Sequence, residues 1–353
     1  MSNEILGRLA LIGSMMLAAG LAVVGPLAGQ EAQVISGDRV AVYNLAGQVE
    51  IVPGTGSEVV VEVMRGGDDG DRLEIEVGEV RGREALRIIY PGDQVIYPDM
   101  GRGSNTSLRV RDDGTFWNGS RSGDRVRISG RGSGLEAHAD LRISVPAGVD
   151  LAVYLAAGEG RANDLETDLT FETGSGSVVV SEVLGNVNVD TGSGSIEING
   201  VEGDVSADTG SGSIEVLNVV GDRFLADTGS GRVEASNVTV ADLSVDTGSG
   251  RILLEGVRAN EIQCDTGSGS VTLELLSDAE NIDVDTGSGA VTLLVPEDFG
   301  AEVELDSGSG GVDVDVPTTI IEAKRDYFRG TIGDGVGRVV VDTGSGGIDI
   351  RGR

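Results

Sequence analysis

The tetrad Thr-Gly-Ser-Gly recurs along the chain, and this repetition constrains the fold more than any other feature. Copies begin at Thr173, Thr191, Thr209, Thr228, Thr247, Thr266, Thr286 and Thr343, with the variant Ser-Gly-Ser-Gly at Ser307. Successive starts lie 18, 18, 19, 19, 19, 20 and 21 residues apart as far as Ser307, and the final interval is 36. Because that interval is about two periods, we expect one copy to be replaced by other sequence. Repetition at this period predicts a stack of equivalent supersecondary units.

Each tetrad is flanked by two short stretches in which every second residue is apolar. Val187 and Val189 precede one copy, and Ile196 and Ile198 follow it. Strand side chains alternate between faces, so the aliphatic set points inward and the polar set outward. Cys264, the single cysteine, occupies an inward position and is interpreted as a core residue.

A unit of two short strands cannot bury its apolar edge alone, whereas stacked units share one core. The pattern therefore predicts an all-β, single-chain β-solenoid of about ten coils of 18–21 residues. At about 4.8 Å per coil, the rod would be roughly 50 Å long. An antiparallel sandwich is the alternative, but it does not require one turn sequence to recur at nearly fixed spacing.

The tetrad itself is predicted to form the corner between two strands. Glycine supplies a positive φ or allows close backbone approach at a sharp bend. The threonines would point inward, and we expect their hydroxyls to hydrogen-bond to one another along the stack. The predicted corner residues of three successive coils are Thr191, Gly192, Gly194, Thr209, Gly210, Gly212, Thr228, Gly229 and Gly231.

An acidic residue precedes each tetrad, and stacking would align these residues in an outward column. After Glu172 the expected members are Asp190, Asp208, Asp227, Asp246, Asp265, Asp285 and Asp306. Like charges about 5 Å apart repel by roughly 0.8 kcal/mol in bulk water, and bound cations would relieve this. Calcium is therefore a candidate ligand, although in the calcium-binding β-roll repeat the Asp follows the glycines. No other cofactor is expected.

Asp-Thr-Gly-Ser is also the signature of aspartic proteases, whose chemistry needs two carboxylates that share a proton. Recurrence in nearly every coil gives no reason for one pair to be special. A carbohydrate-active solenoid enzyme is the other catalytic alternative, but it needs a cleft with basic and aromatic groups and a paired acid and base. The repeats contain few aromatic residues, so the sequence predicts a protein that is not an enzyme.

The N-terminal segment predicts where the protein is located, and the overall charge limits its partners. Arg8 and the apolar run that follows it resemble a secretory signal over residues 1–30, with an uncleaved membrane anchor as the alternative. Export to the periplasm, cell envelope or cell surface is expected. The formal charge of −32 argues against nucleic acid as a partner. His138, the single histidine, is interpreted as a surface residue.

We predict two domains after the signal. Residues 34–146 would form an N-terminal β module, and residues 147–353 the solenoid, with an atypical segment at 318–337 that covers one open end. End-to-end association of rods stays open. The insertion at 101–134 holds seven arginines and three aspartates. It would either bind an acidic partner or form a hairpin that is solvated or docked on the acidic coils. Its candidate partner patch is Arg109, Arg111, Trp117, Arg121 and Arg125.

Several stretches together resemble the bacterial putative-adhesin family of secreted or membrane-attached β-solenoid proteins. They are "NLAGQVEIVPGTGSEVVVEV" at 44–63, "DLRISVPAGVDLAVYLAAGEG" at 140–160, the "DTGSGSIEI" coils, and "GTIGDGVGRVVVDTGSGGIDI" at 330–350. The resemblance implies a right-handed β-helix on the cell envelope or surface, with adhesion to an envelope or surface component. It implies no catalytic residues, and the arginine-rich insertion departs from it.

Overall fold

The structure is a computed structural model that describes residues 30–117 and 121–353. The predicted signal segment lies outside the described residues, apart from Gln30, with which the first strand begins. In the described part of the chain, no helix is long and apolar enough to cross a membrane.

The N-terminal part consists of strands that enter two large sheets and one small one. The first six strands are β1 (Gln30–Ser36), β2 (Arg39–Ala46), β3 (Val49–Pro53), β4 (Glu58–Gly66), β5 (Glu74–Val80) and β6 (Arg83–Ile89). The next seven are β7 (Gln94–Ile96), β8 (Asn105–Val110), β9 (Asp124–Ser129), β10 (Leu135–Glu136), β11 (His138–Val145), β12 (Asp150–Ala157) and β13 (Gly160–Leu165).

The repeats contribute one strand before and one strand after each tetrad. They are β14 (Leu169–Thr173), β15 (Val178–Leu184), β16 (Val187–Thr191), β17 (Ile196–Glu202), β18 (Val205–Thr209), β19 (Ile214–Val220), β20 (Arg223–Thr228), β21 (Val233–Thr239), β22 (Asp242–Thr247), β23 (Ile252–Val257), β24 (Glu261–Thr266), β25 (Val271–Leu275), β26 (Asn281–Thr286) and β27 (Val291–Val295). The chain ends with β28 (Ala301–Ser307), β29 (Val312–Asp315), β30 (Thr318–Ala323), β31 (Tyr327–Ile332), β32 (Gly337–Thr343) and β33 (Ile348–Gly352).

These strands form two long sheets, which we call the front sheet and the back sheet. The front sheet has 15 strands in the order β30-β31-β28-β32-β26-β24-β22-β20-β18-β16-β14-β12-β2-β6-β5. The back sheet has 14 strands in the order β1-β4-β11-β3-β13-β15-β17-β19-β21-β23-β25-β27-β33-β29. Each coil therefore gives one strand to each sheet, and the prediction of an all-β solenoid is confirmed.

The stack is longer than the sequence estimate. At about 4.8 Å between neighbouring strands, a sheet of 15 strands spans roughly 65 Å rather than 50 Å. The difference arises because strands from the predicted N-terminal module join the same two sheets: β2 pairs with β12 in parallel, and β3 pairs with β13. The predicted boundary at 146/147 falls between β11 and β12, and both large sheets contain strands from either side of it.

The core lies between the two sheets and is filled by the alternating apolar positions. Phe171 and Phe224 are its largest fully buried side chains. Cys264 is also buried, and this burial raises the pKa of its thiol to about 12. Val312 and Val314 are only half-buried because β29 is the last strand of the back sheet and has a neighbour on one side only. His138 differs from its predicted surface position, since it is half-buried beside Tyr97, with ring centroids 5.4 Å apart.

Near both ends, the spatial order of the coils departs from their order in the chain. The first coil, β2–β3, lies between later segments, with β6 and β12 on either side of β2. The last coil, β32–β33, lies between β26–β27 and β28–β29. The 36-residue interval holds the hairpin β30–β31, which extends the front sheet beyond β28. The first and last coils thus lie inside the stack rather than at its ends.

A second column, formed by residues with positive φ, follows the back sheet and was not predicted from the sequence. Residues with positive φ occupy equivalent positions in six successive coils: Asp164, Glu182, Gly200, Asn218, Asn237 and Gly256. Each of the first five interrupts a strand that is otherwise in register with a neighbouring strand, and the register between β23 and β25 shifts at Gly256. Asn and Gly tolerate this conformation best, so their recurrence at one offset was the available signal.

Candidate functional site

The corners are built from hydrogen bonds between threonines and glycines. The Thr209 hydroxyl accepts a hydrogen bond from the Gly212 N–H at 3.1 Å and donates one to the Gly194 carbonyl of the preceding coil at 2.9 Å. Thr228 and Thr247 repeat this arrangement. The predicted bonding between threonine hydroxyls is wrong, because neighbouring coils are about 4.8 Å apart and a hydrogen bond between hydroxyls requires about 2.8 Å.

The corner glycines are required by close approach. A Cβ atom on Gly212 would lie 1.8 Å from the Gly194 carbonyl oxygen, and one on Gly231 would lie 1.7 Å from that of Gly212. The other predicted corner glycines are also close to the preceding coil, with 2.6 Å for Gly192, 2.1 Å for Gly194, 2.5 Å for Gly210 and 2.4 Å for Gly229. None of these six has a positive φ, so the close-approach half of the prediction applies to them.

The predicted acidic column lies on the outer face of the front sheet, with one addition. Register places Glu172, Asp190 and Asp208 opposite one another, and the series continues through Asp227, Asp246, Asp265 and Asp285. Asp342 then stands between Asp285 and Asp306, because β32 lies between β26 and β28.

Electrostatics along the column favour protonation. Partial burial, followed by the neighbouring carboxylate, raises the pKa of Asp208, Asp227, Asp246, Asp265 and Asp342. Within the described residues, no group of three or more His, Cys, Asp or Glu side chains is arranged to hold a metal ion.

At the N-terminal end of this column, tyrosines replace the carboxylates and the arginine-rich insertion docks. Tyr43 and Tyr154 precede Glu172 in register, and their rings stack with centroids 4.5 Å apart. Phe116 of the insertion is buried and meets Tyr43 edge to face at 5.8 Å. The insertion is thus held on the front sheet by an aromatic cluster that the repeats themselves lack.

Trp117, the single tryptophan, is held between two guanidinium groups. Arg111 lies 3.4 Å and Arg81 lies 3.7 Å from the centre of its ring system. Such cation–π contacts contribute about 0.5–2 kcal/mol each. Arg111 also donates a hydrogen bond to the Thr115 hydroxyl at 3.3 Å. Trp117 is therefore a fixed wall whose two faces are covered.

A cavity of about 430 Å³ lies between this insertion and the first corners of the stack. From the insertion, its wall includes Thr106, Ser107, Arg109, Trp117 and Arg125. From the coils, it includes Tyr154, Glu172, Thr173 and Gly174. Of the predicted partner patch, Arg109, Trp117 and Arg125 line the cavity, and Arg111 supports Trp117. Arg121 is exposed and is not part of the wall.

Two groups in the cavity wall stand out chemically. Thr173 is 3% exposed, and its hydroxyl has no hydrogen-bond partner among the described residues. It is the first corner threonine, and the coil before it has Leu155 at the matching position in place of a threonine. Burial, followed by the Glu172 carboxylate, raises the pKa of Tyr154. No pattern in the sequence indicates this cavity, because the insertion and the corners meet only in the folded chain.

Comparison with known protein families identifies one whose model matches this chain. The family model described as Toastrack DUF4097 matches residues 135–351. The chain belongs to this family. The matched Toastrack region begins directly after the arginine-rich insertion, so the cavity has one wall inside this region and one outside it. The resemblance to the putative-adhesin family is thereby confirmed at the level of family and fold.

Two solved structures are similar to the chain at low identity, while no curated protein matches it. One is a putative cell adhesion protein from Clostridium sporogenes, with 12% identity and a TM-score of 0.25. The other is a putative adhesin from Bacteroides fragilis, with 12% identity and a TM-score of 0.34. Each comparison covers 92% of this chain and 99% of the other. Both likenesses are weak.

Proposed function

We propose that this protein is an exported interaction protein without catalytic activity, an adhesin-type component of the bacterial cell envelope or surface. The observation that carries the proposal is the arginine-rich insertion, which is mounted on the front sheet and encloses a cavity. Stacking does not require this insertion, since the coils from β14 to β27 pair without one. A segment that the scaffold does not need is best explained by a role in contact with another molecule.

The scaffold suits the display of such a contact. Every coil from β14 to β27 is paired on both sides in both sheets, which ties the stack into one continuous body. The formal charge of −32 keeps the surface soluble and repels other acidic surfaces, whereas the insertion has seven arginines and three aspartates. An anionic partner would therefore be steered toward the insertion.

The carboxylates support binding rather than hydrolysis. Glycoside hydrolysis uses two carboxyl groups that flank the scissile bond. Glu172 is the one carboxylate in the cavity wall among the described residues. The remaining aspartates of the column are nearly equivalent neighbours on an outer face, where no pair is distinguished from the others.

Cell fractionation combined with a binding assay tests this proposal. The full chain is expressed in a bacterium, the envelope and periplasm are separated from the cytoplasm, and the N-terminus of the recovered protein is sequenced. We expect an exported protein that binds isolated envelope fractions and releases no reducing sugar from a polysaccharide panel. Retention in the cytoplasm, failure to bind any envelope fraction, or release of sugar would each contradict the proposal.

A further inference from the structure

We propose that the cavity beside β8 binds a carboxylated sugar, namely a uronic acid unit of an acidic polysaccharide. This inference rests on the proposed function as a binding protein and names the ligand class of its cavity. Three features of the wall carry it: a pair of arginines without acidic partners in the described part of the chain, an unpaired strand edge, and aromatic side chains fixed in place.

The arginine pair is Arg109 and Arg125, which are directly opposite each other on β8 and β9. Both side chains are exposed, and neither forms an ion pair within the described residues. Arg109 donates one hydrogen bond, to the Gly123 carbonyl at 2.8 Å. Like charges directly opposite on two strands destabilise a hairpin. An anion between the two guanidinium groups would remove this cost, and guanidinium groups bind carboxylates in bidentate fashion.

The strand edge supplies polar backbone groups beside the arginines. β8 is the last strand of the four-stranded sheet β10-β7-β9-β8. The Gly130 N–H donates to the Ser104 carbonyl at 3.1 Å, so in the alternating antiparallel pattern Ser107 and Arg109 direct their N–H and C=O groups away from β9. Both residues line the cavity. Donors and acceptors side by side match the hydroxyl groups of a sugar.

The aromatic wall decides between ligand classes. Tyr154 stacks on Tyr43, and both faces of Trp117 are covered by arginines, so Trp117 offers no platform for a flat aromatic anion. Their edges can contact the C–H groups of a saturated ring.

Tryptophan fluorescence provides a direct binding assay, because Trp117 is the single tryptophan of the chain and lines the cavity. The full chain is titrated with trigalacturonate, with a neutral galactose trisaccharide, and with an acidic peptide of equal charge. We expect a saturable fluorescence change with trigalacturonate and at least tenfold weaker binding of the other two. Tighter binding of the peptide, or no saturable change with trigalacturonate, overturns the inference.

Two double variants separate the site from general charge. R109A/R125A should weaken trigalacturonate binding at least tenfold. R127A/R131A removes the same charge from exposed positions that do not line the cavity, and it should bind as the unchanged protein does. Equal losses in both variants would overturn the inference, with the melting temperature showing that each is folded.

Envelope binding by R109A/R125A distinguishes this inference from the proposed function. If the unchanged protein binds envelope fractions but not trigalacturonate, the ligand assignment fails while the interaction function stands. If R109A/R125A loses both activities and R127A/R131A keeps both, the assignment is supported. If the unchanged protein does not bind envelope fractions, the proposed function itself is contradicted.

Discussion

The corner at Thr228, in the middle of the stack, and the corner at Thr173, where the tetrads begin, contain the same four residues but differ in what surrounds them. The Thr228 hydroxyl is hydrogen-bonded twice, once within its own turn and once to the preceding coil. The Thr173 hydroxyl has no partner among the described residues, although Gly158 of the preceding coil and Gly176 of its own turn lie at the positions that bond the later threonines. Two corners of identical sequence therefore differ in how their threonines are hydrogen-bonded.

Arginines show the same contrast. On the regular coils, Arg232 and Arg251 both lie within ion-pair distance of Glu234. On the insertion, Arg109 and Arg125 lie opposite each other without a carboxylate partner in the described part of the chain. These two arginines of the repeating region thus have a carboxylate partner, while the arginine pair of the preceding region is left for an anionic partner.

The largest effect is expected for a glycine-to-alanine substitution in a regular corner, which tests whether the closely packed corner can accommodate a side chain. In the last tetrad, a Cβ atom on Gly346 would lie 1.7 Å from the Gly289 carbonyl oxygen, whereas one on Gly347 would meet its nearest atom at 3.6 Å. Gly346→Ala should therefore destabilise the fold by about 4 kcal/mol or more, and Gly347→Ala by less than about 1 kcal/mol. Urea denaturation measures both, and equal effects would show that the corner can move to accept a methyl group.

Substitutions at Thr228 and Thr173 compare the two corners directly. Thr228→Val leaves the Gly231 N–H and the Gly212 carbonyl without this partner, which should cost about 2–4 kcal/mol. Thr173→Val removes a buried hydroxyl that is unpaired in the described structure, and it should raise stability by about 0.5–1 kcal/mol in the absence of ligand. Denaturation curves of both variants under identical conditions suffice. A destabilised Thr173→Val would mean that its hydroxyl already has a partner.

The acidic column predicts an unusual pH dependence. In the folded protein the pKa of Asp208 and of Asp246 is raised above 3.8 by partial burial and then by neighbouring carboxylates. Native protein then binds more protons than unfolded protein, so these groups stabilise the fold below pH 3.8, and that stabilisation is lost as pH rises through the raised pKa. We expect the melting temperature to rise as pH falls from 7 toward 4.5.

Paired variants identify the source of that dependence. D208N/D246N should raise the melting temperature at pH 7 and flatten its rise toward acid, because alternate carboxylates of the column are neutralised. D38N/D71N removes the same charge outside the column and should leave the slope unchanged. The idea fails if both double variants flatten the slope equally, which would assign the effect to net charge.

The smallest expected effect concerns the column of positive φ in the back sheet. Glu182 has a φ of 52°, whereas equivalent positions in later coils hold Gly200, Asn218 and Asn237. Glu182→Asn should stabilise the fold by about 0.5–1 kcal/mol, since Asn adopts this conformation at lower cost. Glu202→Asn is the matched control, because Glu202 does not have a positive φ, and it should give no gain. Thermal melts compare the two.

Much of this architecture could be predicted because it is local. Alternation around Val187 and Ile196 identified the buried face, and the tetrad located each corner. The order of the last coils could not be predicted, because the register Asp342-Thr343 matches Asp285-Thr286 as well as it matches Asp306-Ser307. For the candidate site, Arg109, Trp117 and Arg125 could be predicted from composition. The participation of Thr173 depends on a contact between segments far apart in sequence.

The inward position of the last coil has a consequence for the order of folding during synthesis. Coils from β14 to β27 can each dock on the one before as the chain leaves the ribosome. β28–β29 cannot take its final place in this way, because β32–β33 must come to lie between it and β26–β27. The stack is therefore completed only after the last residues have been made, which keeps the finished end from forming on a truncated chain.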